Sequence, residues 1–404
     1  MASAGGERHR LQDPARALRL AIRNYDEPKV ARLTDWLLNG VPLQWVPRKA
    51  DLAPGHFYWA GDTNGGGELI IWPSEGMTTP ADHQIEVPLR QAVLCGPWGA
   101  YPRGNAELRD RKLYGQAKYP KGDHIVIRNL TFGYTREGYV TAGAVASGDY
   151  WTLQDCTFQY MNATGLWLGG DYATVQRCRF LYNGKTGVAA KFRLHKALIE
   201  DCIAMHNNRK FYKIYWDAGG IKLHHTTDSI FRRVTLAFNY GASFWMDIDC
   251  ERNLIEDSVS VGNDGLGFFY EISDHGTFRN NVSFGNGVGI MYAHSANGII
   301  EDNVLIGNNS GYILGGDRGD YKGINTTFQR NLVLETLGKH VGWKWSKNPD
   351  GRSPKSNNTI TDNTFAAVSG ATAFEVYKLE PDLNAFEGQL ETAFSNRQIN
   401  GLNQ

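Results

Sequence analysis

The sequence predicts an all-β protein: a right-handed parallel β-helix, or solenoid, with a small β-rich cap at its N-terminus. The first observation is an internal repeat, because from about residue 125 onward similar short strands recur mostly every 22 to 24 residues. The second is that these strands alternate apolar and polar residues and are separated by Asn, Asp and Gly, which tolerate the positive φ of tight turns. A leucine-rich repeat has a similar period, but its fixed framework of Leu and Asn is missing, so the period favours a β-helix.

A second marker of the coils is a tripeptide of an apolar residue, a polar residue and Asn, Asp or Arg, which recurs from residues 127–129 to residues 360–362 and is expected to end each coil. The slot directly after it holds Cys in early coils and Asn in later ones: Cys156, Cys178, Cys202, Asn281, Asn303, Asn331 and Asn363. We expect these side chains to stack as a ladder inside the solenoid. Because a repeat by itself aligns such residues, small buried thiols are preferred over a disulfide or a metal site.

Residues 1–122 are predicted to form the N-terminal cap and a less regular lead-in segment. Apolar residues recur at helical intervals over 14–38, and Pro28 is expected to divide this stretch into two helices. Strand-like runs at 57–60 and 69–72 flank a glycine-rich turn. The cap is therefore predicted to be helical at first and β-rich afterwards.

The solenoid itself is predicted to span residues 123–366, and residues 367–404 are expected to cap its far end. Two coils are longer than the others. One has an insertion at 206–216 that is rich in charged and aromatic residues, and the other has an insertion at 337–357 that contains Trp343 and Trp345. Insertions in a solenoid emerge as loops on one face, which is often the binding face, so each is predicted to form a rim of a site.

Composition narrows the classes of partner. The 404 residues include 42 Lys and Arg and 42 Asp and Glu, so the net charge is zero. This balance argues against nucleic acid or an anionic membrane as the main partner, and no apolar run approaches the roughly 18 residues of a membrane span. No signal peptide is visible, which indicates a cytoplasmic protein, or a secreted or periplasmic one if a leader has been removed. The oligomeric state stays open, with a homo-oligomer among the options.

Two equivalent strands on neighbouring coils, residues 241–249 and 265–273, contain the candidate catalytic residues. Asp247 and Glu271 occupy the same slot, 24 residues apart, so their backbones should lie about 4.8 Å apart. Like charges at this spacing are destabilising and raise the pKa of one partner, which is what a retaining glycosidase needs. Asp247 is the predicted nucleophile and Glu271 the general acid. The alternatives are a solvated acidic ladder or a calcium site that also uses Asp249; no other cofactor or metal is expected.

Other outward side chains around this pair are predicted to form a polar and aromatic groove for a saccharide. Asp217 lies near the mouth of the groove, where it contacts sugar hydroxyls, tunes the acid or caps a turn. The predicted substrate-binding residues are Trp216, Asp217, Lys222, His224, Trp245, Asp249 and Phe269. His224 and the adjacent His225 are expected on opposite faces of their strand.

Three segments together resemble glycoside hydrolase family 120, the β-xylosidases with a parallel β-helix fold. They are Asp-Ala-Gly-Gly-Ile-Lys-Leu-His at 217–224, Trp-Met-Asp at 245–247 and Phe-Tyr-Glu at 269–271. The resemblance implies that Asp247 is the nucleophile, that Glu271 is the proton donor and that Asp217, in place of a glutamate, is an assisting acid. It also implies an oligosaccharide or glycoside as substrate.

Two other classes of function fit the same fold. In a polysaccharide lyase, Lys222 would be the base and a calcium ion or an arginine would neutralise a uronate carboxylate; the paired acids and the neutral net charge disfavour this. A non-catalytic carbohydrate-binding protein is the other alternative. The sequence identifies neither the sugar nor the linkage.

Overall fold

The computed structural model of the protein describes residues 35–61, 67–73, 84–90, 92–95, 122–136, 142–190, 193–316, 318, 323–344, 357–367, 372–377 and 397–400. Within these ranges the only helical element is a 3-10 turn at Lys49–Asp51, and all other regular structure is β. No helix in this part of the chain has the length and the hydropathy needed to span a bilayer.

Successive coils of the solenoid add strands to three long parallel sheets. The sheet with the two candidate acids, which we call the site sheet, contains Leu94–Cys95, Ala142–Ser147, Thr164–Asp171, Thr186–Ala190, Gly219–Leu223, Ala242–Asp247, Leu266–Glu271, Val288–Ala293, Ser310–Gly315, Lys339–Lys344 and Thr372–Tyr377. Two short strands, Leu194–His195 and Thr226–Thr227, continue the pairing at the end of Thr164–Asp171.

The other two sheets consist of shorter strands. The second sheet contains Val126–Arg128, Thr152–Gln154, Thr174–Gln176, Leu198–Glu200, Ile230–Arg232, Leu254–Glu256, Thr277–Arg279, Ile299–Glu301, Thr327–Gln329 and Thr359–Thr361. The third sheet contains Thr131–Gly133, Thr157–Gln159, Arg179–Leu181, Ile203–Met205, Thr235–Ala237, Val259–Val261, Val282–Phe284, Val304–Ile306, Leu332–Leu334, Thr364–Ala367 and Arg397–Asn400.

The repeated tripeptide lies at the corner between the second and third sheets, and not at the end of a coil as predicted. Its first two residues belong to a strand of the second sheet, and its last residue has a φ of 51° to 57° in all ten coils. This left-handed residue turns the chain into the third sheet, because an extended strand cannot bend so sharply with every φ negative. The tripeptide therefore marks a turn inside each coil.

The interior of the solenoid is an apolar core lined by ladders of equivalent residues. All five cysteines have free thiols, and Cys156, Cys178 and Cys202 are buried in the predicted slot. In the later coils, Asn303 donates from its backbone N and from Nδ2 to Asn331 Oδ1, at 2.9 Å each. These bonds satisfy polar groups that would otherwise be buried without a partner. The predicted internal ladder is confirmed.

The described part of the cap is β-structure. One small sheet contains Leu37–Leu38, Val41–Pro42 and Ile85–Glu86, and the other contains Gln44–Trp45, His56–Gly61 and Gly67–Trp72. The two runs at 57–60 and 69–72 pair as an antiparallel hairpin, as predicted. The prediction of helix is wrong for residues 35–38, because strand pairing on both sides of Leu37–Leu38 overrides the local apolar spacing. Residues 14–34, the rest of that prediction, lie outside the described residues.

The insertion at 206–216 packs against the cap. Asp35 of the cap lies 2.5 Å from Arg209 Nη2 and 3.2 Å from Lys210 Nζ, and all three side chains are buried or nearly so. Tyr212 joins a second apolar cluster that includes Leu38, Leu43, Trp45, Phe57 and Ala218. The insertion is therefore held between the cap and the solenoid, directly before the strand Gly219–Leu223 of the site sheet.

The far end of the solenoid is more regular than predicted. Lys339–Lys344 pairs in parallel with Ser310–Gly315, so Trp343 is part of a regular strand and not of a projecting rim. Thr372–Tyr377 and Arg397–Asn400 also pair in parallel with the preceding coil. Parallel pairing thus continues past residue 366, where the sequence predicts that the repeat ends. Residues 345–356, the rest of the predicted rim, lie outside the described residues.

Candidate active site

Strand register places the two candidate acids side by side. In the paired strands Ala242–Asp247 and Leu266–Glu271, Trp245 aligns with Phe269 and Asp247 aligns with Glu271. Phe244, Met246, Phe268 and Tyr270 point into the solenoid core, so the alternate residues point outward, as the period-2 pattern predicts. On the following coils Glu271 aligns with Ala293, and Ala293 aligns with Gly315. Both of these small residues are buried.

The two carboxylate oxygens of Asp247 have different surroundings. Its Oδ2 lies 2.9 Å from Lys222 Nζ and 3.5 Å from His224 Nε2. Its Oδ1 is buried and has no hydrogen-bond partner among the described residues. Burial raises the pKa of Asp247, but the nearby His224 imidazole and the charge of Lys222 outweigh burial and hold this pKa below its ordinary value. Asp247 is therefore ionised at neutral pH.

Glu271 is shifted in the opposite direction. Burial and the neighbouring Asp247 carboxylate raise the pKa of Glu271, while Lys222, Arg318 and the Trp245 indole oppose this less strongly. Arg318 Nη1 lies 3.3 Å from Glu271 Oε1, and the Arg318 side chain is 64% exposed. The two neighbouring carboxyls thus differ in the way that a nucleophile and a proton donor must differ.

Lys222 is fully engaged by protein groups. Besides Asp247, its Nζ donates to the backbone carbonyl of Trp216 and lies 3.2 Å from the centroid of the Trp245 ring. The side chain is almost completely buried. Its predicted role was contact with a sugar, but its observed contacts fix the charge and orientation of Asp247.

The two outward aromatic residues are more buried than the predicted groove requires. Trp245 is 4% exposed and Phe269 is 5% exposed. Their rings pack at 4.9 Å and form a cluster with Ala242, Leu266 and Ala293. One face of Trp245 is occupied by Lys222. In this structure the two rings are therefore covered, and their contact with a sugar ring stays a prediction.

Asp249 lies outside the predicted column of outward residues. Ile248 and Asp249 both have positive φ, so the alternation ends at Asp247 and the chain turns. Asp249 Oδ2 instead lies 3.4 Å from His225 Nδ1. The alternation that placed Asp249 in this column does not extend beyond the strand end, and a role of Asp249 in substrate binding stays a prediction. Within the described residues, no group of three or more His, Cys, Asp or Glu side chains is arranged to hold a metal ion.

Asp217 and Trp216 flank the site in different ways. Asp217 is buried, and its Oδ2 lies 2.9 Å from Lys185 Nζ in an ion pair that the sequence did not reveal. The Trp216 ring is 52% exposed, while its carbonyl accepts the bond from Lys222. The structure thus brings Lys222 and His224 to Asp247, it brings the Trp216 carbonyl to Lys222, and it places Asp217 with Lys185.

Sequence reasoning missed Arg318 and Lys185. Arg318 lies in the long step of 28 residues between Ile300 and Phe328, so coil length could have drawn attention to it. Lys185 gives no such signal, because it directly precedes an ordinary strand, Thr186–Ala190. Its partner Asp217 lies 32 residues away, which only the strand register reveals.

Comparison with known proteins agrees with this architecture. The family model of the right-handed β-helix region matches residues 142–310, and no curated protein matches the sequence. Among solved structures, XylC in complex with xylose has a TM-score of 0.52 at 10% identity, over 93% of this chain and 67% of that chain. A double mutant of the periplasmic alginate epimerase AlgG has a TM-score of 0.49 at 11% identity, over 69% of each chain.

At these identities the similarity to solved structures concerns the fold alone. The resemblance to glycoside hydrolase family 120 stays a prediction, as do the roles of the individual residues. The strand register and the family match together establish the fold class that the repeat predicts. Over the residues that the structure describes, the chain is an all-β protein built around a right-handed parallel β-helix.

Proposed function

We propose that the protein is a retaining, exo-acting glycoside hydrolase that, like a β-xylosidase, removes terminal sugars from oligosaccharides. The proposal rests on one observation: Asp247 and Glu271 are adjacent in the register, and their pKa values are shifted in opposite directions. A retaining mechanism needs one ionised and one protonated carboxyl group about 5 to 5.5 Å apart. Neighbouring strands are about 4.8 Å apart, which is compatible with this separation.

From these contacts we assign different roles to the two acids in the first half of the reaction. Lys222 and His224 contact Asp247 Oδ2, so we assign the attack on the anomeric carbon to Oδ1, which is buried in the structure and has no hydrogen-bond partner among the described residues. Glu271 donates its proton to the departing glycosidic oxygen as the C–O bond breaks, and an ester forms between the sugar and Asp247. Burial raises the pKa of Glu271 above its ordinary value, and this favours the protonated form that a general acid needs.

The second half of the reaction reverses the roles. Glu271, now ionised, removes a proton from water as the water oxygen attacks the anomeric carbon, and the bond to Asp247 breaks. The sugar leaves with its original configuration and Glu271 is protonated again. Both acids are largely covered, which favours a terminal sugar over the middle of a polymer.

The lyase alternative receives less support. A lyase base must be able to reach the proton at carbon 5 of a uronate. The Nζ of Lys222 is instead buried between a carboxylate, a backbone carbonyl and an indole ring. Its nitrogen has no open side toward a substrate.

The test is hydrolysis of a panel of nitrophenyl glycosides, beginning with the β-xyloside. We expect Asp247→Ala to abolish turnover. Glu271→Gln should lower kcat/KM about 10²- to 10⁴-fold for a poor leaving group, and much less for a dinitrophenyl glycoside, which needs no proton. Asp302→Asn is the matched control, since Asp302 pairs with Arg330 on the surface of a different sheet. It should keep full activity.

Three results would overturn the proposal. A fully active Asp247→Ala enzyme would exclude the nucleophile. Unsaturated products that absorb ultraviolet light would identify a lyase. Binding of sugars without hydrolysis of any glycoside in the panel would identify a carbohydrate-binding protein.

A further inference from the structure

A buried ion pair lies one coil away from the candidate site. Lys185 Nζ and Asp217 Oδ2 are 2.9 Å apart; the Lys185 side chain is fully buried and that of Asp217 nearly so. Removing two charges from water is costly, and apolar pairs of similar volume often serve stability equally well. A purely structural role therefore explains this pair poorly.

The pair fixes a short piece of backbone. Thr186 Oγ1 donates to the carbonyl of Asp217 at 2.8 Å, and the backbone N of Gly219 donates to the carbonyl of Lys185 at 3.0 Å. Thr186 and Gly219 are also register partners in the site sheet. Asp217 is thus fastened through both its side chain and its main chain to the preceding coil.

The fixed backbone leads directly to the nucleophile. The residue before Asp217 is Trp216, whose carbonyl accepts a hydrogen bond from Lys222 Nζ. The same Nζ lies 2.9 Å from Asp247 Oδ2. The rings of Tyr215 and Trp216 are more than half exposed, so core packing of these rings does not hold the carbonyl in place.

We infer that the Lys185–Asp217 ion pair is a positioning device for the candidate active site. It holds the Trp216 carbonyl where that carbonyl directs the Lys222 ammonium onto Asp247. This inference rests on the proposed function. It differs from the role of assisting acid that the family resemblance implies, because Asp217 acts through Lys222 and does not touch the substrate.

Several other charged or titratable groups face Asp247, and none of these residues is substituted in the test variants. Lys222 and His224 contact it from the preceding coil, and Glu271 faces it from the following coil. The thiol of Cys250 lies 3.7 Å from its carbonyl. The test must therefore report on Asp247 itself.

The test uses four variants: Lys185→Met, Asp217→Asn, the double variant that combines these two changes, and Asp217→Glu as the comparison. The first three lose the ion pair, so Lys222 loses its second anchor and the acid limb of the kcat/KM profile moves to higher pH. We expect kcat/KM on the acid limb to fall roughly 10- to 100-fold, as for other small misplacements of a reacting group. The double variant should match either single variant within about threefold, because both changes break one interaction. Asp217→Glu keeps the charge and should keep the wild-type limb.

Asn331→Ala is the control for stability, because it weakens a buried ladder far from the site. It should lower the melting temperature without moving either limb of the profile. If Lys185→Met is too unstable to study, the double variant is the informative one, since it leaves no unpaired buried charge. An unchanged acid limb in a folded double variant would overturn the inference.

A second readout does not depend on catalysis. The titration of Asp247 can be followed through the pH dependence of the unfolding midpoint, with Asp247→Asn as reference in each background. Suppose that Asp247 titrates at a higher pH in the double variant than in the wild type, and that the protein hydrolyses no glycoside. This result would keep the inference and refute the proposed function. Hydrolysis with an unchanged Asp247 titration would do the opposite.

Discussion

Lys222→Met offers the sharpest test of how the nucleophile is kept ionised. Methionine keeps the apolar stem of the side chain and removes only the ammonium group. The variant loses the contact with Asp247, the hydrogen bond to the Trp216 carbonyl and the charge over the Trp245 ring. The change is therefore electrostatic and leaves little space unfilled.

The size of the effect follows from the geometry. Two unit charges 2.9 Å apart attract by about 6 kcal/mol at an effective dielectric constant of about 20. Part of this attraction offsets the desolvation of the two groups. Breaking such a buried pair from one side typically costs about 3–5 kcal/mol, because the other charge stays buried. We expect a loss of this size in the free energy of unfolding at pH 7.

The loss should depend on pH with a definite sign. The folded-state pKa of Asp247 is below its ordinary value, so its stabilising contribution is present above the unfolded-state pKa. That contribution disappears as the pH falls through the folded-state pKa. In Lys222→Met the folded-state pKa rises, so the variant should approach the wild type in stability at low pH. The acid limb of kcat/KM should move to higher pH for the same reason.

Urea titrations at pH 7 and at pH 3, followed by far-ultraviolet circular dichroism, measure this difference. Lys196→Met is the matched control, because the Lys196 ammonium lies over the ring of Tyr172 on the surface, where water screens its interaction with Asp228. It should change the free energy of unfolding by less than about 0.5 kcal/mol. Equal stability of Lys222→Met and wild type at pH 7, with an unmoved acid limb, would refute the electrostatic role of Lys222.

Three further predictions concern other parts of the molecule. Glu271→Gln should raise the free energy of unfolding at pH 7 by about 0.5–1 kcal/mol, because it removes a buried acid that lies beside the Asp247 carboxylate. No such gain is expected at pH 3, where the wild-type carboxyl is protonated. A urea titration that shows destabilisation at pH 7 would contradict this. Arg318→Gln should move the alkaline limb of kcat/KM to higher pH, less so at high salt, because the exposed guanidinium lowers the pKa of Glu271; a shift to lower pH would count against it. Asn331→Ala should cost about 1–3 kcal/mol in urea unfolding, since it leaves the carbonyl of Ile300 without its side-chain donor; an unchanged midpoint would show that the ladder is dispensable.

The repeat made the fold predictable from the sequence. In a solenoid each coil repeats the constraints of the last, so one correct register places ten coils at once. The pairing of Asp247 with Glu271 and the stacking of Cys156, Cys178 and Cys202 followed from counting residues alone. The helix predicted through residue 38 failed where strand pairing in the cap, a non-local interaction, decides the structure.

The environment of the site was less predictable. Alternation says which face of a strand a residue occupies, but not what covers that face, so the burial of Trp245 and Phe269 could not be foreseen. It also cannot locate the turn at Asp249, where two successive residues adopt positive φ. Lys185 reaches Asp217 only because the insertion returns the chain to the start of the next strand. These are contacts between coils, which no local pattern encodes.

The most direct test of the central claim is the configuration of the first sugar released, followed by proton NMR with the glycoside that the protein hydrolyses fastest. Two adjacent carboxyls with Asp247 as nucleophile predict a product with the same anomeric configuration as the substrate. A first product of inverted configuration would contradict the account, because inversion requires acids about 6.5–9.5 Å apart with a water molecule between one of them and the sugar.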